Sequence, residues 1–177
     1  MRSVSVTLRI AEQDAEQAFD RVSAFSRYPE LTDVIRSVET RQVSPSEEIS
    51  DWEVYFRNGV LCWSESDLFD RDTLTITFEQ VDGDFAEFRG TWRMAADGPH
   101  CLVVFAAEFD FGIPSLAGIL DPVAQRVFKE TIARVVIGLF AGGAEVVGDE
   151  AVARAVADAR AVAEARAAAA AGAPGAL

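Results

Sequence analysis

Between residues 34 and 111 the chain alternates apolar and polar side chains through six successive runs. A period of two puts one face of a strand on a core and the other in water. The runs lie at about Val34–Val43, Ile49–Arg57, Val60–Phe69, Leu74–Val81, Phe85–Ala95 and Cys101–Phe111. Asn58-Gly59 is the strongest short hairpin signal, and Asp82-Gly83 and Asp97-Gly98 mark two further turns. With so little chain between the runs, a meander of consecutive hairpins is the simplest topology.

The flanks add helices. Val4, Val6, Leu8 and Ile10 alternate with polar residues and form a first strand. From Asp14, a candidate cap, Ala15, Ala18, Phe19 and Val22 fall on one helical face. Tyr28-Pro29 interrupts that helix, and a short second one follows around Pro29 to Thr32. After Gly112-Ile113-Pro114 apolar residues recur at helical spacing up to Leu139. Asp121-Pro122 either caps a new helix or bends one long helix, and Gly142-Gly143 ends it. The expected class is α+β: a curved, seven-stranded antiparallel sheet, two short helices after the first strand, and a long C-terminal helix against the concave face. Residues 1–149 form this domain. Residues 150–177 are an Ala-rich extension, partly helical or disordered, with no ligand role expected.

Charge narrows the partners. The net charge is −13, and the tail from Glu150 balances three acids with three Arg, so residues 1–149 carry all of the excess. Such a field repels phosphate backbones and anionic lipid headgroups, and nucleic acid is not an expected partner. The opening MRSVSVTLRI lacks the apolar run of a signal peptide, and no uncharged apolar stretch reaches membrane-spanning length. A cytoplasmic protein without stable membrane insertion is expected. Cys62 and Cys101 make no metal motif and read as two buried thiols. His100, the single histidine, sits at a turn beside Gly98-Pro99. No metal site, Ser–His–Asp arrangement or phosphate-binding glycine loop is legible, so no cofactor is expected.

Twelve Phe and three Trp stand against two Tyr, and most of them fall between Trp52 and Phe111. Strand parity groups Trp52 with Phe56, Trp63 with Phe69, Phe78 with Ile76, Phe88 with Trp92, and Phe105 with Phe109. Core packing is the plain reading of each ring alone; together they also suit the wall of a cavity for a flat, apolar ligand. Glu65 and Asp67 share the inward parity of Trp63, where an unpaired carboxylate is costly. They pair with a buried Arg, face a wet cavity, or turn outward at a bulge. In a cavity, either is a candidate raised-pKa acid. Arg89 is a candidate to hold an enolate if it points inward, although its parity is opposite to that of Trp92. Tyr28 either packs at the helix–helix turn or presents its phenol at the pocket mouth.

Several stretches carry a family resemblance. Phe25-Ser26-Arg27-Tyr28-Pro29-Glu30 resembles the F-x-x-Y-P passage of the START-like polyketide cyclase/dehydrase superfamily. Leu61-Cys62-Trp63-Ser64-Glu65, Phe88-Arg89-Gly90-Thr91-Trp92 and Phe109-Asp110-Phe111-Gly112-Ile113-Pro114 resemble its aromatase/cyclase and coenzyme-Q-binding branches. The resemblance spans about residues 3–143. It implies a helix-grip fold with a ligand cavity between the long helix and the sheet, lined by Tyr28, Trp52, Phe56, Trp63, Phe78, Phe88, Trp92, Phe105 and Phe109. It implies binding of an apolar, aromatic or polyketide-like molecule, with cofactor-free cyclisation and aromatisation as the candidate chemistry and Glu65, Asp67 and Arg89 as its candidate catalytic groups. An acyl carrier protein would then be a candidate partner. A quinone or lipid carrier and a ribosome-associated interaction factor are the alternatives that the same scaffold implies.

Overall fold

The computed structural model describes residues 1–172. A first strand, β1 (Arg2–Ile10), leads into the helix α1 (Ala15–Val22), a 3-10 turn at Phe25–Arg27 and the one-turn helix α2 (Tyr28–Leu31). Six strands follow: β2 (Ile35–Ser44), β3 (Glu47–Phe56), β4 (Gly59–Asp70), β5 (Thr75–Gly83), β6 (Glu87–Asp97) and β7 (His100–Asp110). The chain ends in a long helix α3 (Ala117–Leu139), a short strand β8 (Ala144–Val147) and a second long helix α4 (Glu150–Ala171). The seven expected strands are all present, each end within two residues of its expected place.

The sheet order is β2-β3-β4-β5-β6-β7-β1-β8. Consecutive hairpins join β2 through β7, and β1 returns antiparallel to β7, pairing Arg2 with Phe109 and Ile10 with Cys101. The eighth strand lies beyond the seven expected: Ala144 to Val147 pair with Ile10 to Thr7 on the outer edge of β1. Four residues are too few to announce a strand by alternation. Their position follows from the end of α3, where Gly142 takes a left-handed φ of 82° and turns the chain back.

Local chemistry accounts for the helices. The Asp14 carboxylate accepts a hydrogen bond from the Gln17 amide at 3.0 Å, capping α1, whose Ala18, Phe19 and Val22 are buried. Proline at the start of α2 costs no hydrogen bond, because first-turn amides have no helical partner. Pro122 lies inside one continuous α3 rather than beginning a new helix. The buried residues of α3 run from Ala124 through Thr131 to Leu139, and the helix lies across the concave face of the sheet. This is the helix-grip arrangement.

The Ala-rich segment is helical to Ala171. It is capped by Asp149 and anchored through buried Val152 and Val156, and Lys129 on α3 bonds Asp149 at 2.9 Å. The disorder expected at the extreme end concerns residues 173–177, outside the described residues. No described helix is long and apolar enough to cross a membrane. Cys101 is buried as expected, but Cys62 is exposed. Even-numbered residues of β4 point away from the core, so the strand that buries Trp63 turns its neighbour outward.

The inner face is continuous and aromatic, and one glycine makes its centre possible. Gly90 on β6 sits opposite Phe78 on β5, whose ring stacks on Phe105 at 5.7 Å. A Cβ on Gly90 would stand 2.6 Å from the edge of the Phe78 ring and closer still to the Ala106 carbonyl. Gly90→Ala is therefore expected to destabilise the fold by about 1–3 kcal/mol, read as a lower urea midpoint. An unchanged midpoint would show that the sheet yields at this point without strain.

Candidate functional site

The concave face of β3 and β4 carries the site. Their antiparallel register sets Trp52 opposite Trp63 and Ser50 opposite Glu65. The two indoles lie parallel, 5.8 Å apart and 1° from coplanar orientation. Each donates its N–H to a polar group one pleat further along the sheet. Trp63 Nε1 bonds Glu65 Oε2 at 2.7 Å, and Trp52 Nε1 bonds Ser50 Oγ at 2.8 Å. Ser50 in turn donates to Asp67 Oδ2 at 2.5 Å. The stacked pair is thus fastened at its polar edge to two carboxyl groups.

Both carboxyls are inside the protein. Glu65 is 4% exposed and Asp67 fully buried. Neither acid turns outward at a bulge: β3 and β4 pair without one from Glu47 to Phe56. The irregularity of β4 falls on its other edge, where the β5 register shifts between Ser64 and Glu65. No buried arginine meets them. Burial is the first cause that pushes the Glu65 carboxyl well above its usual range, the neighbouring Asp67 charge is the second, and the bond from Trp63 only partly opposes them. Burial likewise raises Asp67, to about 7, against the lowering influence of Ser50 and of a hydrogen bond from Glu65. The mutual influence of the two side chains raises Glu65 and lowers Asp67, as a proton held by Glu65 would. Asp67 Oδ1 has no hydrogen-bond partner among the described residues. A proton on Glu65 is therefore what satisfies the pair.

A cavity of about 60 Å³ opens in front of Glu65. Its sheet wall is Trp52, Val54, Phe56, Leu61, Trp63, Phe78, Phe88, Trp92 and Phe105, with Ile35 at one edge; Tyr28 closes one end. The helix wall is Ala124, Val127, Phe128, Thr131 and Ile132 of α3. Aromatic contacts run around it: Trp63 meets Phe88 edge-on at 5.5 Å, Phe88 stacks on Phe128 at 5.3 Å, and Tyr28 meets Trp52 at 5.8 Å.

Most residues expected from the sequence come together here. Tyr28, Trp52, Phe56, Trp63, Phe78, Phe88, Trp92, Phe105 and Glu65 all line the cavity. The Tyr28 hydroxyl, however, donates to the Val22 carbonyl at 2.5 Å, so its phenol braces the helix turn. Three expected residues lie elsewhere. Asp67 stands behind Glu65, off the cavity surface. Phe109 is fully buried in a second aromatic cluster with Phe85, Phe111 and Phe128. Arg89 is on the outer face of the sheet, half exposed and bonded to Glu108 and Glu87. Its odd position on β6, beside inward Phe88, fixes that orientation, so an anion-holding role in the cavity is not available to it. His100 sits at the β6–β7 turn, where its Nδ1 accepts from the Glu12 amide at 3.0 Å. The sequence reading omitted Ser50 and the residues of α3. Ser50 shares the parity of Trp52 and was legible; Phe128 and Thr131 needed the docking angle of the helix.

Comparison with known proteins agrees with this geometry. The family model described as polyketide cyclase / dehydrase and lipid transport matches residues 12–136. None of the curated proteins matches the chain in sequence. Among solved structures, TTHA0849 from Thermus thermophilus superposes with a TM-score of 0.72 at 20% identity, over 80% of this chain and 97% of that one. The Zhui aromatase/cyclase from Streptomyces sp. R1128 gives 0.65 at 14% identity, over 80% and 93%. A START superfamily protein from Mycobacterium smegmatis gives 0.62 at 18%, over 78% and 94%. At these identities the likeness is one of fold.

The buried pair has a consequence for stability. An acid whose pKa is raised on folding binds more protons in the folded state than in the unfolded chain, between the two values. Stability therefore falls as pH rises through that window, for Asp67 from about 3.8 to about 7. The cost is on the order of a few kcal/mol. Asp67→Asn should match the wild type at pH 4 and surpass it in urea midpoint at pH 8. A difference independent of pH would mean that Asp67 does not hold its proton on folding.

Proposed function

The chain belongs to the polyketide cyclase / dehydrase and lipid transport family, and we propose that it binds an apolar, aromatic or polyketide-like small molecule between α3 and the sheet. One observation carries this reading: among the described residues Glu65 is the only carboxyl on the wall of a cavity otherwise lined by aromatic and aliphatic side chains and Thr131. A buried acid kept protonated by its surroundings is costly to maintain, and a ligand that needs a hydrogen-bond donor at that spot gives it a use.

The space present is small. About 60 Å³ accommodates a small head group, whereas sites for ring systems span roughly 300–1,000 Å³. A larger guest enters by displacing the first half of α3. Pro122 lacks the amide that would tie it to the preceding turn, and Ile113, Leu116 and Ile119 before it are 45%, 40% and 60% exposed. Apolar residues at this end offer a greasy approach to the cavity.

Cyclisation is the chemistry that the site suits best. A poly-β-ketone folded against the rings would place one carbon near a distant carbonyl, and proximity would supply much of the acceleration. As the new C–C bond forms, the attacking carbon, reacting as its enol, loses a proton to water, and Glu65 gives its own proton to the carbonyl oxygen that becomes a hydroxyl. A proton from solvent then restores the shared hydrogen bond with Asp67. In the elimination step protonated Glu65 delivers a proton to the leaving hydroxyl, water departs, and its carboxylate accepts the proton lost from the adjacent carbon. If the substrate arrives tethered, an acyl carrier protein is the partner, and the net charge of −13 opposes docking of an acidic carrier. A carrier without chemistry is the second reading, favoured by a single acid pair set against so large an apolar wall.

Native mass spectrometry of the purified protein, before and after incubation with a quinone and an aromatic polyketide extract, separates these. A retained mass that becomes lighter by water supports cyclisation, and Glu65→Gln should then slow conversion by about 100-fold. A retained, unchanged mass supports a carrier. No retained mass under any condition contradicts the ligand-binding reading.

A further inference from the structure

The cavity combines two features with a shared implication: aromatic walls, and buried carboxyls with no cation. The groups that face Glu65 and Asp67 come from three elements. Glu48 faces Asp67 from β3, Ser50 and Trp52 lie on the same strand, Tyr28 faces both acids from α2, and α3 presents Phe128 and Thr131. None of these is basic. The nearby basic side chains are engaged outside: Arg89 with Glu108, Lys129 with Asp149, Arg134 with Asp33, and Arg71 with Asp20. Two carboxyls, one with an oxygen that has no partner, thus lie in an apolar interior without a counter-charge. Isolated anions in such a place are strongly disfavoured; the free pair avoids this by holding protons, and a cationic guest would avoid it by charge.

The walls point to the kind of cation. Trp52, Trp63, Trp92, Tyr28, Phe88 and Phe128 surround the space in front of Glu65, and aromatic rings, indoles most of all, attract organic ammonium groups. The cavity, about 60 Å³, is small and suits a compact cationic head such as –NH3+. We propose that the cavity takes an organic amine, bound as its ammonium ion, with an N–H on Glu65, the indole and phenyl rings around its remaining faces, and its apolar skeleton directed toward the first half of α3. The inference rests on the reading of the cavity as a ligand site and adds a class of guest to it: an amine, held as its ammonium ion more tightly than a neutral analogue of the same skeleton.

Proton balance gives this a signature. The free pair holds a proton that an arriving ammonium makes unnecessary, so binding near neutral pH releases protons. Above pH 7 Asp67 is already ionised, and amine binding tightens as pH rises from 6 to 8. Over that range a primary amine, titrating near 10 as lysine does, stays charged.

The test is isothermal titration of the full chain with 2-phenylethylamine and with its near-isostere 2-phenylethanol, at pH 6 and pH 8 and in two buffers of different ionisation enthalpy. At pH 8 the amine should bind at least about tenfold more tightly than the alcohol. That preference should shrink at pH 6, and the apparent enthalpy of amine binding should depend on the buffer at pH 7. Glu65→Gln should abolish the preference, so that the variant binds amine and alcohol about equally. Alcohol binding equal to or tighter than amine binding at pH 8 overturns the inference and leaves the cavity reading intact. An amine preference that Glu65→Gln does not change also overturns it, because the cation would then sit elsewhere. Binding of neither compound overturns both the inference and the cavity reading. Should Glu65→Gln fail to fold, the wild-type preference, its pH dependence and its proton release decide the matter alone.

Discussion

The stacked indoles of Trp52 and Trp63 join the fold to its chemistry. Their faces belong to the aromatic interior, and their N–H groups must find acceptors once buried. Ser50 and Glu65 supply those acceptors from the next inward position of the same two strands, and Asp67 completes the network through Ser50. The register of β3 on β4 is what brings all five together. A slip of one residue would expose the indoles and carry the acids to the outer face.

The network is unfavourable as a stability device. Burial raises the pKa of both acids, and the Asp67 charge raises Glu65 further, so the pair costs the fold more stability as pH rises. Hydrophobic residues of the same volume would pack this site at lower cost. The cost concentrates at one place, directly behind the cavity wall, where Asp67 Oδ1 is the one buried side-chain oxygen among the described residues left without a partner. A perturbed acid pair set on a rigid sheet, facing a cavity, is the pattern expected of a site that acts on a guest.

Much of this was legible in the sequence. Alternation across residues 34–111, with Asn58-Gly59 at its sharpest hairpin, sufficed for the order of β2 to β7, because adjacent hairpins leave little topological choice; alternation from Val4 to Ile10 gave β1 as a strand but not its place beside β7. The same parity put Glu65 and Asp67 inside and, followed strictly, put Arg89 and Cys62 outside; the aromatic pattern around Arg89 suggested more than its position allowed. Phe109 has the parity of Phe105, but strand parity cannot tell the cavity wall from the packed floor beyond it. Depth along the strand depends on where α3 crosses, and helix periodicity does not encode a crossing angle. For that reason Phe128 and Thr131, contributed by α3, escaped the sequence reading, as did the four-residue β8, whose pairing depends on the turn at Gly142.

The central claim is that Glu65 and Asp67 form one proton-sharing unit inside the cavity wall. Carbon-13 NMR of the folded protein with labelled Glu and Asp carboxyls, titrated from pH 3 to pH 9 and assigned with Glu65→Gln and Asp67→Asn, tests it most directly. The account predicts that Asp67 titrates near 7, that Glu65 stays protonated above that point, and that Asp67→Asn, by removing the neighbouring charge, shifts Glu65 downward. Two independent titrations near pH 4, with Glu65 unaffected by the loss of Asp67, would contradict it.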